Sequence, residues 1–298
     1  LGIPDRIETF RQIWRHPGNN GRRAAAFRDY VRWNIGVRLL GADHVLPLID
    51  DARIIVSARQ NYATLTYVNR LWDFADMMFL LHLLRPEDRF GDLGSNVGGY
   101  TILAARVVGC RCVAFEPVPA TFAELQANLR LNDATALVEA QPCGLGAEHA
   151  TLRMTASLGG MNHIATERSI GDTVEVPVRR LDDVLVGRPL NLIKLDAEGF
   201  ELNILAGAQA TLANPELHAV IVELNGSGLR YGFSDDDVDA ELRRMGFAPY
   251  AYDPATRCLR KLPTYNRVDF NTLYLRPSDH VTKRLATARA YDFRGAKY

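Results

Sequence analysis

Residues 90–99 read Phe90-Gly91-Asp92-Leu93-Gly94-Ser95-Asn96-Val97-Gly98-Gly99, and the next apolar run, Cys112-Val113-Ala114-Phe115-Glu116, closes on an acid. A short apolar run that breaks into glycines before helical spacing resumes is a strand, a tight turn and a helix N-terminus. Turns of this kind commonly hold a pyrophosphate, which calls for three glycines and the amides of the helix. Here Asn96 takes the middle position, and Asp92 puts a carboxylate where phosphate would approach. A carboxylate repels phosphate but pairs with an ammonium group. Glu116 is placed to accept hydrogen bonds from both hydroxyls of a ribose. A nucleoside carrying a free amino group, S-adenosylmethionine, fits these two acids better than a dinucleotide. A bare turn, with Asp92 only capping a helix, would explain the glycines but not the distant acid.

Outward from this turn, apolar runs over 89–93, 111–115, 136–140, 191–195 and 219–224 alternate with helical patterns near 98–108, 118–131, 199–213 and 234–245. Such alternation predicts an α/β fold with a doubly wound, mostly parallel sheet covered on both faces. Residues 246–252 and 269–276 have no helix between them, hence an antiparallel pair at one sheet edge. Segment 144–180, broken by Gly159-Gly160, reads as a hairpin insertion. Upstream, 53–58 and 63–68 alternate like a hairpin with Asn61 in its turn, and 71–84 reads as a helix stopped by Pro86. The predicted organisation is therefore an N-terminal extension of basic helix, hairpin and helix (1–85), a main domain (86–276), and a basic, polar tail (277–298) expected to pack loosely. Asp92, Glu116, Asp196 and Glu223 all fall at carboxyl ends of predicted strands, where open sheets of this kind bind ligands.

The 298 residues balance 35 Lys plus Arg against 35 Asp plus Glu, so no overall field favours nucleic acid. Cys110, Cys112, Cys143 and Cys258 form neither a C-x-x-C pair nor a zinc spacing, as expected of reduced thiols in the cytoplasm. No apolar run is long enough to span a bilayer. The chain opens on Leu1 rather than methionine, which leaves room for a longer natural start and a removed targeting segment. Charge is uneven: Arg6, Arg11, Arg15, Arg22, Arg23, Arg28, Arg32 and Arg38 face only Asp5, Glu8 and Asp29. Across 22–40, Phe27, Val31, Ile35 and Leu39 recur at helical spacing, a stripe expected to dock on the body of the protein. The alternative is peripheral contact with anionic lipid at the inner face of a membrane.

These residues resemble the FkbM family of S-adenosylmethionine-dependent methyltransferases over about 72–250. The resemblance rests on Asp92-Leu93-Gly94-Ser95-Asn96-Val97-Gly98, Phe115-Glu116-Pro117, Leu181-Asp182-Asp183, Ile193-Lys194-Leu195-Asp196-Ala197-Glu198-Gly199 and Val222-Glu223-Leu224. It implies a class I methyltransferase (Rossmann-like) fold with a seven-stranded sheet and methyl transfer to oxygen. Acceptors in such a family are sugar hydroxyls of glycans or glycolipids, or alternatively hydroxyls of polyketides and other secondary metabolites. By position, Asp92, Gly94, Ser95, Asn96 and Gly98 would surround the methionine part of the cofactor. Glu116 and Pro117 would meet the ribose, Cys143 and Gly144 the adenine, and Asp196 would close the pocket near the reactive methyl.

An alcohol becomes a nucleophile when a base takes its proton, and histidine is the commonest such base. His163, in the insertion, and Asp196 are the two candidates. A metal-assisted variant, less favoured, would use the oxygens of Asp196, Glu223 and Asn225. A nicotinamide dehydrogenase would want glycine at Asn96 and no acid at Asp92. A non-catalytic binding protein on this fold would have damaged cofactor loops, whereas these are intact. An adenine-methylating enzyme would resemble Asn-Pro-Pro-Tyr where this chain has Asp196-Ala197-Glu198-Gly199. Tyr62, Tyr67, Trp72 and Tyr231 are candidate platforms for a sugar ring, though ordinary packing is the simpler expectation.

Overall fold

A computed structural model describes residues 3–40, 43–57, 63–169, 171–276 and 278–298. It begins with helices α1 (Ile3–Arg15) and α2 (Arg23–Leu40), a hairpin of β1 (His44–Pro47) and β2 (Arg53–Val56), and helices α3 (Ala63–Asn69) and α4 (Phe74–Leu83). The alternating part follows as β3 (Arg89–Leu93), α5 (Gly99–Ile102, continued by a π-helical stretch over Leu103–Val108), β4 (Arg111–Phe115), α6 (Pro119–Leu131) and β5 (Val138–Gln141). An insertion of β6 (Gly144–Leu145), β7 (Ala150–Thr155) and β8 (Thr173–Arg179) leads to α7 (Leu181–Leu185), β9 (Leu192–Leu195), α8 (Glu201–Ala206), α9 (Gln209–Ala213) and β10 (Ala219–Glu223). Then come α10 (Asp235–Arg244), β11 (Ala248–Asp253), β12 (Cys258–Lys261), β13 (Asn271–Leu275), α11 (Asp279–Ala286), β14 (Asp292–Phe293) and β15 (Ala296–Lys297).

The central sheet has the order β12-β11-β13-β10-β9-β3-β4-β5. Strands β3, β4, β5, β9 and β10 are parallel, while β13 runs antiparallel to both β10 and β11. The chain winds from β3 out through β4 to β5, then returns to β9 on the other side of β3, so the winding reverses between β3 and β9. In an open sheet this reversal leaves a crevice at the carboxyl ends, which is where a ligand is accommodated. Alternation along each strand divides the core into two layers. Cys112, Ala114, Leu192 and Ile221 join one layer, and Val113, Phe115, Ile193, Leu195 and Val222 the other. Each buried Leu, Ile or Phe contributes about 2 kcal/mol, so strand register is strongly specified.

The seven strands implied by the resemblance are present, and β12 adds an eighth at the outer edge, antiparallel to β11. The segment 144–180 is a three-stranded sheet of order β6-β8-β7, with the long β7–β8 hairpin that was expected. The N-terminal hairpin is shifted from its predicted place: Arg53–Val56 pairs with His44–Pro47, and Ala63–Asn69 is a helix. Its buried Ala63, Thr66, Val68 and Asn69 explain the change, since offsets of three, two and one mix strand and helix periods over so short a run. Asn61 and Tyr62 lie outside the described residues.

The tail, expected to pack loosely, instead buries Val281, Leu285, Tyr291 and Phe293 in the layer that includes α4. Arg284 pairs with the buried Asp88, and Arg294 donates to Asn19 and the Val68 carbonyl, so the basic residues of the tail serve as anchors. The basic helix α2 also differs from expectation. Ala26 and Trp33 are buried and Tyr30 half-buried, with Trp33 stacked on Tyr67 at 4.6 Å, while Phe27, Val31 and Ile35 are exposed. The smaller Ala26 lets α2 approach Ile13 and Val68 closely, which turns the larger apolar stripe outward. Among the described residues no helix is long and apolar enough to cross a membrane.

Candidate active site

The carboxyl ends of β3, β4, β5 and β9 open on two adjoining cavities. One lies between the turn after β3 and the ends of β4 and β5, with Glu116, Pro117, Cys143 and Gly144 along one side. Asn162 and Ile164 of the insertion cover it, and Phe200 faces them. The second is bounded by Trp72, Asp73, Asp92, Tyr100 and Lys194. Gly94, Asn96, Gly160 and Asp196 line both, so these residues form the partition between them.

The turn after β3 is built by close backbone approach. The amides of Gly94 and Ser95 both donate to the Phe115 carbonyl, at 3.1 and 2.8 Å, tying β3 to β4 just where they open. Gly94 has φ 90° and Asn96 φ 49°. A Cβ at Gly94 would overlap the Asp196 carbonyl oxygen, so only glycine lets the turn sit against the end of β9. Asparagine tolerates the left-handed region, which explains how Asn96 replaces a glycine there. Gly98 lines neither cavity; it packs under Leu125 at the start of α5.

Asp92 is buried, and its Oδ2 accepts from the Thr101 amide at 3.1 Å and the Thr101 hydroxyl at 2.5 Å. It therefore caps α5 from the strand while also lining the second cavity. Burial pushes its pKa up to about 6 against the opposing pull of Thr101 and Lys194. Glu116 Oε1 accepts from the Val118 amide at 2.8 Å, and burial lifts this carboxyl to about 7.

The strongest charge feature is at β9. Lys194 is register partner of Asp92 on β3 and of Ile221 on β10, so its side chain rises into the same layer as Asp92. It is almost fully buried, with Nζ 3.2 Å from Asp196 Oδ2 and 3.2 Å from Asn271 Oδ1. Against the cost of burial, Asp196, Glu223 and Asp73 hold Lys194 above its usual pKa, so it stays an ammonium. Lys194 in turn overcomes burial at Asp196 and keeps that carboxyl below its usual range. Glu223 is pressed against Asp196, whose charge together with burial pushes Glu223 well up. Asp73 accepts from the Tyr100 hydroxyl at 3.0 Å and is raised by burial.

The loop carrying Asp196 is held by Glu201, which the sequence reading did not single out. Its Oε1 accepts from the amides of Ala197 and Gly199, at 3.0 and 3.1 Å. A Cβ on Gly199, at φ 100°, would meet the Ser227 backbone, so the glycine of Glu198-Gly199 brings the loops after β9 and β10 together. Asp182, of the Leu181-Asp182-Asp183 element, accepts from the amides of Ala210 and Thr211 and thus holds the start of α9.

His163 is placed elsewhere. The Met154–Ile164 bridge marks the chain here as extended, so neighbouring side chains alternate: Asn162 and Ile164 face the first cavity and His163 faces away. Its Nδ1 is 3.0 Å from the Met161 carbonyl, its Nε2 is 3.4 Å from Ser169 Oγ, and it lines a depression shared with Arg168 and Leu229. Asn225 Nδ2 donates to Glu223 Oε1 at 3.3 Å, while its Oδ1 accepts from the Ser227 amide at 3.0 Å. The Glu198 carboxylate lies within 4.8 Å of those of Asp196 and Glu223. Lys194 supplies a positive charge to these three acids. Tyr67 stacks in the core and Tyr231 donates to the Ile164 carbonyl at 2.7 Å, whereas Trp72 borders the second cavity with its ring packed on Gly99.

The family model described as the methyltransferase FkbM domain matches residues 92–249, more than half of the chain. Methyltransferase 1 of Beauveria bassiana is 34% identical over 148 residues, covering 41% of this chain and 59% of that protein. The chain thus spans less than two thirds of that relative's length. A Streptomyces tacrolimicus protein named 31-O-demethyl-FK506 methyltransferase FkbM is 28% identical over 215 residues, covering 60% of this chain and 80% of its own. The hexuronic acid methyltransferase AglP of Haloferax volcanii is 27% identical over 172 residues, covering 54% and 69% respectively.

Proposed function

Because the chain belongs to the FkbM methyltransferase family, we propose that it is an S-adenosylmethionine-dependent O-methyltransferase acting on a hydroxyl of a sugar in a glycan or glycolipid. The observation that carries this reading is the position of Asp196, a carboxylate held ionised by Lys194 on the partition between two cavities. One cavity holds Glu116, the acid expected of a nucleoside site, and the other borders the same Asp196 carboxylate.

Glu116, at the mouth of β4, is the residue to accept from the ribose hydroxyls, and Asp92 the nearest buried acid for the amino group. The bound cofactor supplies a methyl group on a sulfonium, already a good leaving group. The residues then have to hold an acceptor oxygen in line and take its proton. Asp196 would receive the hydroxyl proton of an acceptor held in line, with Lys194 and Glu223 keeping the carboxylate oriented. Trp72 and Tyr100 beside Asp73 suit a polyol ring, which presents apolar faces and hydroxyl edges. The name of the Haloferax relative supports a sugar acceptor. The name of the Streptomyces relative supports the second reading, a hydroxyl of a macrolide-like product.

Incubation with methyl-labelled S-adenosylmethionine and a panel of sugar nucleotides, lipid-linked glycans and polyketide alcohols tests both. Label in a glycan fraction supports the first reading and label in a polyketide fraction the second. A protein that neither transfers label nor is stabilised against heat by S-adenosylhomocysteine would refute methyl transfer altogether.

A further inference from the structure

We propose that the outer face of the α1–α2 helix pair is a docking surface for an anionic lipid bilayer. On α1, Phe10 and Trp14 are exposed one turn apart, and on α2 Phe27, Val31 and Ile35 are exposed at successive turns, Ile35 to 59% and Phe27 to 50%. The two rows meet: the rings of Phe10 and Trp14 are 5.9 Å apart, and Phe10 meets Phe27 edge-on at 5.9 Å. Five large apolar side chains in one contiguous patch keep from 37% to 59% of their surface in solvent, and such patches mark interaction sites.

The charges around the patch name the partner. Over 9–36 there are six arginines, Arg11, Arg15, Arg22, Arg23, Arg28 and Arg32, and a single acid, Asp29. Asp29 is turned inward and paired with Arg22 and Arg28. The Arg23 guanidinium lies over the Trp14 ring at 4.8 Å, joining the cationic and aromatic parts of the face. Aromatic rings settle at headgroup depth and arginines reach phosphate, so this combination fits an interface of negative charge rather than a neutral apolar protein surface. The face is presented firmly. Asn19 Nδ2 donates to the Ile13 carbonyl and to Asn69 Oδ1, both at 2.9 Å, locking the helix turn to α3.

The location has a consequence. Arg11 and Arg15 of α1 also border a groove that continues from Trp72 and Asp73 of the second cavity. A bilayer on this face would bring headgroup-level hydroxyls to the groove. That consequence rests on the methyl-transfer reading, whereas the docking itself does not.

Sedimentation of the full chain with vesicles of phosphatidylcholine, with and without phosphatidylglycerol, is the test, run with neither cofactor nor acceptor. Failure here leaves methyl transfer untouched, and failure of the labelling assay leaves docking untouched. The chain should pellet with phosphatidylglycerol vesicles, remain in solution with phosphatidylcholine alone, and be released by high salt. The exposed double variants Phe27→Glu/Ile35→Glu and Arg28→Glu/Arg32→Glu should each lower partitioning by more than about tenfold at unchanged melting temperature. Equal binding to both vesicle types, no binding to either, or variants that bind like the parent would overturn the proposal. So would a Phe27→Glu/Ile35→Glu variant whose only effect is to split a dimer in light scattering, because the patch would then bury itself against a second copy.

Discussion

The ammonium of Lys194 stands 3.2 Å from the carboxylate of Asp196, two residues further along the same chain. Alternation along β9 puts both on one side, but Lys194 lies below the sheet end in full burial while Asp196 reaches the partition between the cavities. The pair therefore sets a fixed positive charge beside a carboxylate that borders both cavities. Glu223 completes the arrangement: the Asp196 charge and burial raise its pKa while Lys194 lowers that of Asp196.

Asp196→Asn keeps the shape and removes the proton acceptor. If this group takes the hydroxyl proton, kcat should fall by about a hundredfold or more. The dissociation constant of S-adenosylhomocysteine, measured calorimetrically, should stay close to that of the parent. His163→Ala, whose side chain faces away from both cavities, should leave kcat nearly unchanged. A loss at His163 equal to that at Asp196 would require the insertion to rearrange when substrate binds.

Lys194→Met removes the cation shared by Asp196, Asp73 and Glu223. Breaking a buried pair by deleting one partner costs about 3–5 kcal/mol, so a large drop in urea midpoint is expected. The pH profile separates this from simple unfolding. Lys194 keeps the Asp196 pKa low, and the ionised form is the active one. Its removal should move the acidic limb of kcat/KM to higher pH in the protein that remains folded. An unmoved limb would mean that Asp196 is not the titrating base.

Glu116 carries a different pH dependence. Burial holds it near 7, yet accepting two ribose hydroxyls favours its ionised form. Cofactor binding should therefore release a proton, and affinity should weaken about tenfold for each unit of pH below 7 while levelling off above it. Calorimetry in buffers of different ionisation heat would reveal the released proton. Glu116→Gln should bind more weakly and with a flat pH dependence over the same range.

Much of this was legible because the sheet is regular. Residues 89–93 and 111–115 are strands to the residue, since short runs of this kind, each followed by a turn and a helix, have one reading in a doubly wound sheet. The convergence of Asp92, Glu116, Asp196 and Glu223 at one sheet end follows from the same regularity. What stayed hidden depended on contacts between distant segments. Asp73 and Tyr100 meet across 27 residues, and nothing in either local pattern announces the other. Lys194 is visible in the motif, but its burial follows from strand register with Asp92 and the approach of Asn271 across 77 residues. His163 drew notice by residue type, whereas the extended backbone of 162–164 decides which side chain faces the cavity. The outward stripe on α2 was read correctly as a stripe and placed on the wrong side, because Ala26 and Trp33 make the closer fit.

The ligand-free protein should lose stability as pH rises from about 6.5 to 8, contrary to the plateau usual in this range. Asp76, Glu116 and Glu201 are each lifted to about 7 and Glu198 to about 8, chiefly by burial. Their unfolded counterparts are fully ionised by pH 6.5, so over this window the folded state binds more protons than the unfolded one. Raising pH then draws protons from the folded state alone and favours unfolding. Buried His16 and His82, lowered to about 4, work in the opposite sense; their effect fades out by about pH 7.5, where the unfolded histidine is largely neutral, so the fall is clearest above that pH. Asp196, with its depressed pKa, contributes its pH dependence at still lower values. Scanning calorimetry at intervals from pH 6.5 to 8 should show a falling melting temperature. Saturating S-adenosylhomocysteine should flatten the fall, because its ribose favours ionised Glu116, and Glu116→Gln should remove part of it without ligand. A melting temperature that rises across the same window would show that these carboxyls are already ionised in the folded protein, and would remove the basis for proton release on cofactor binding.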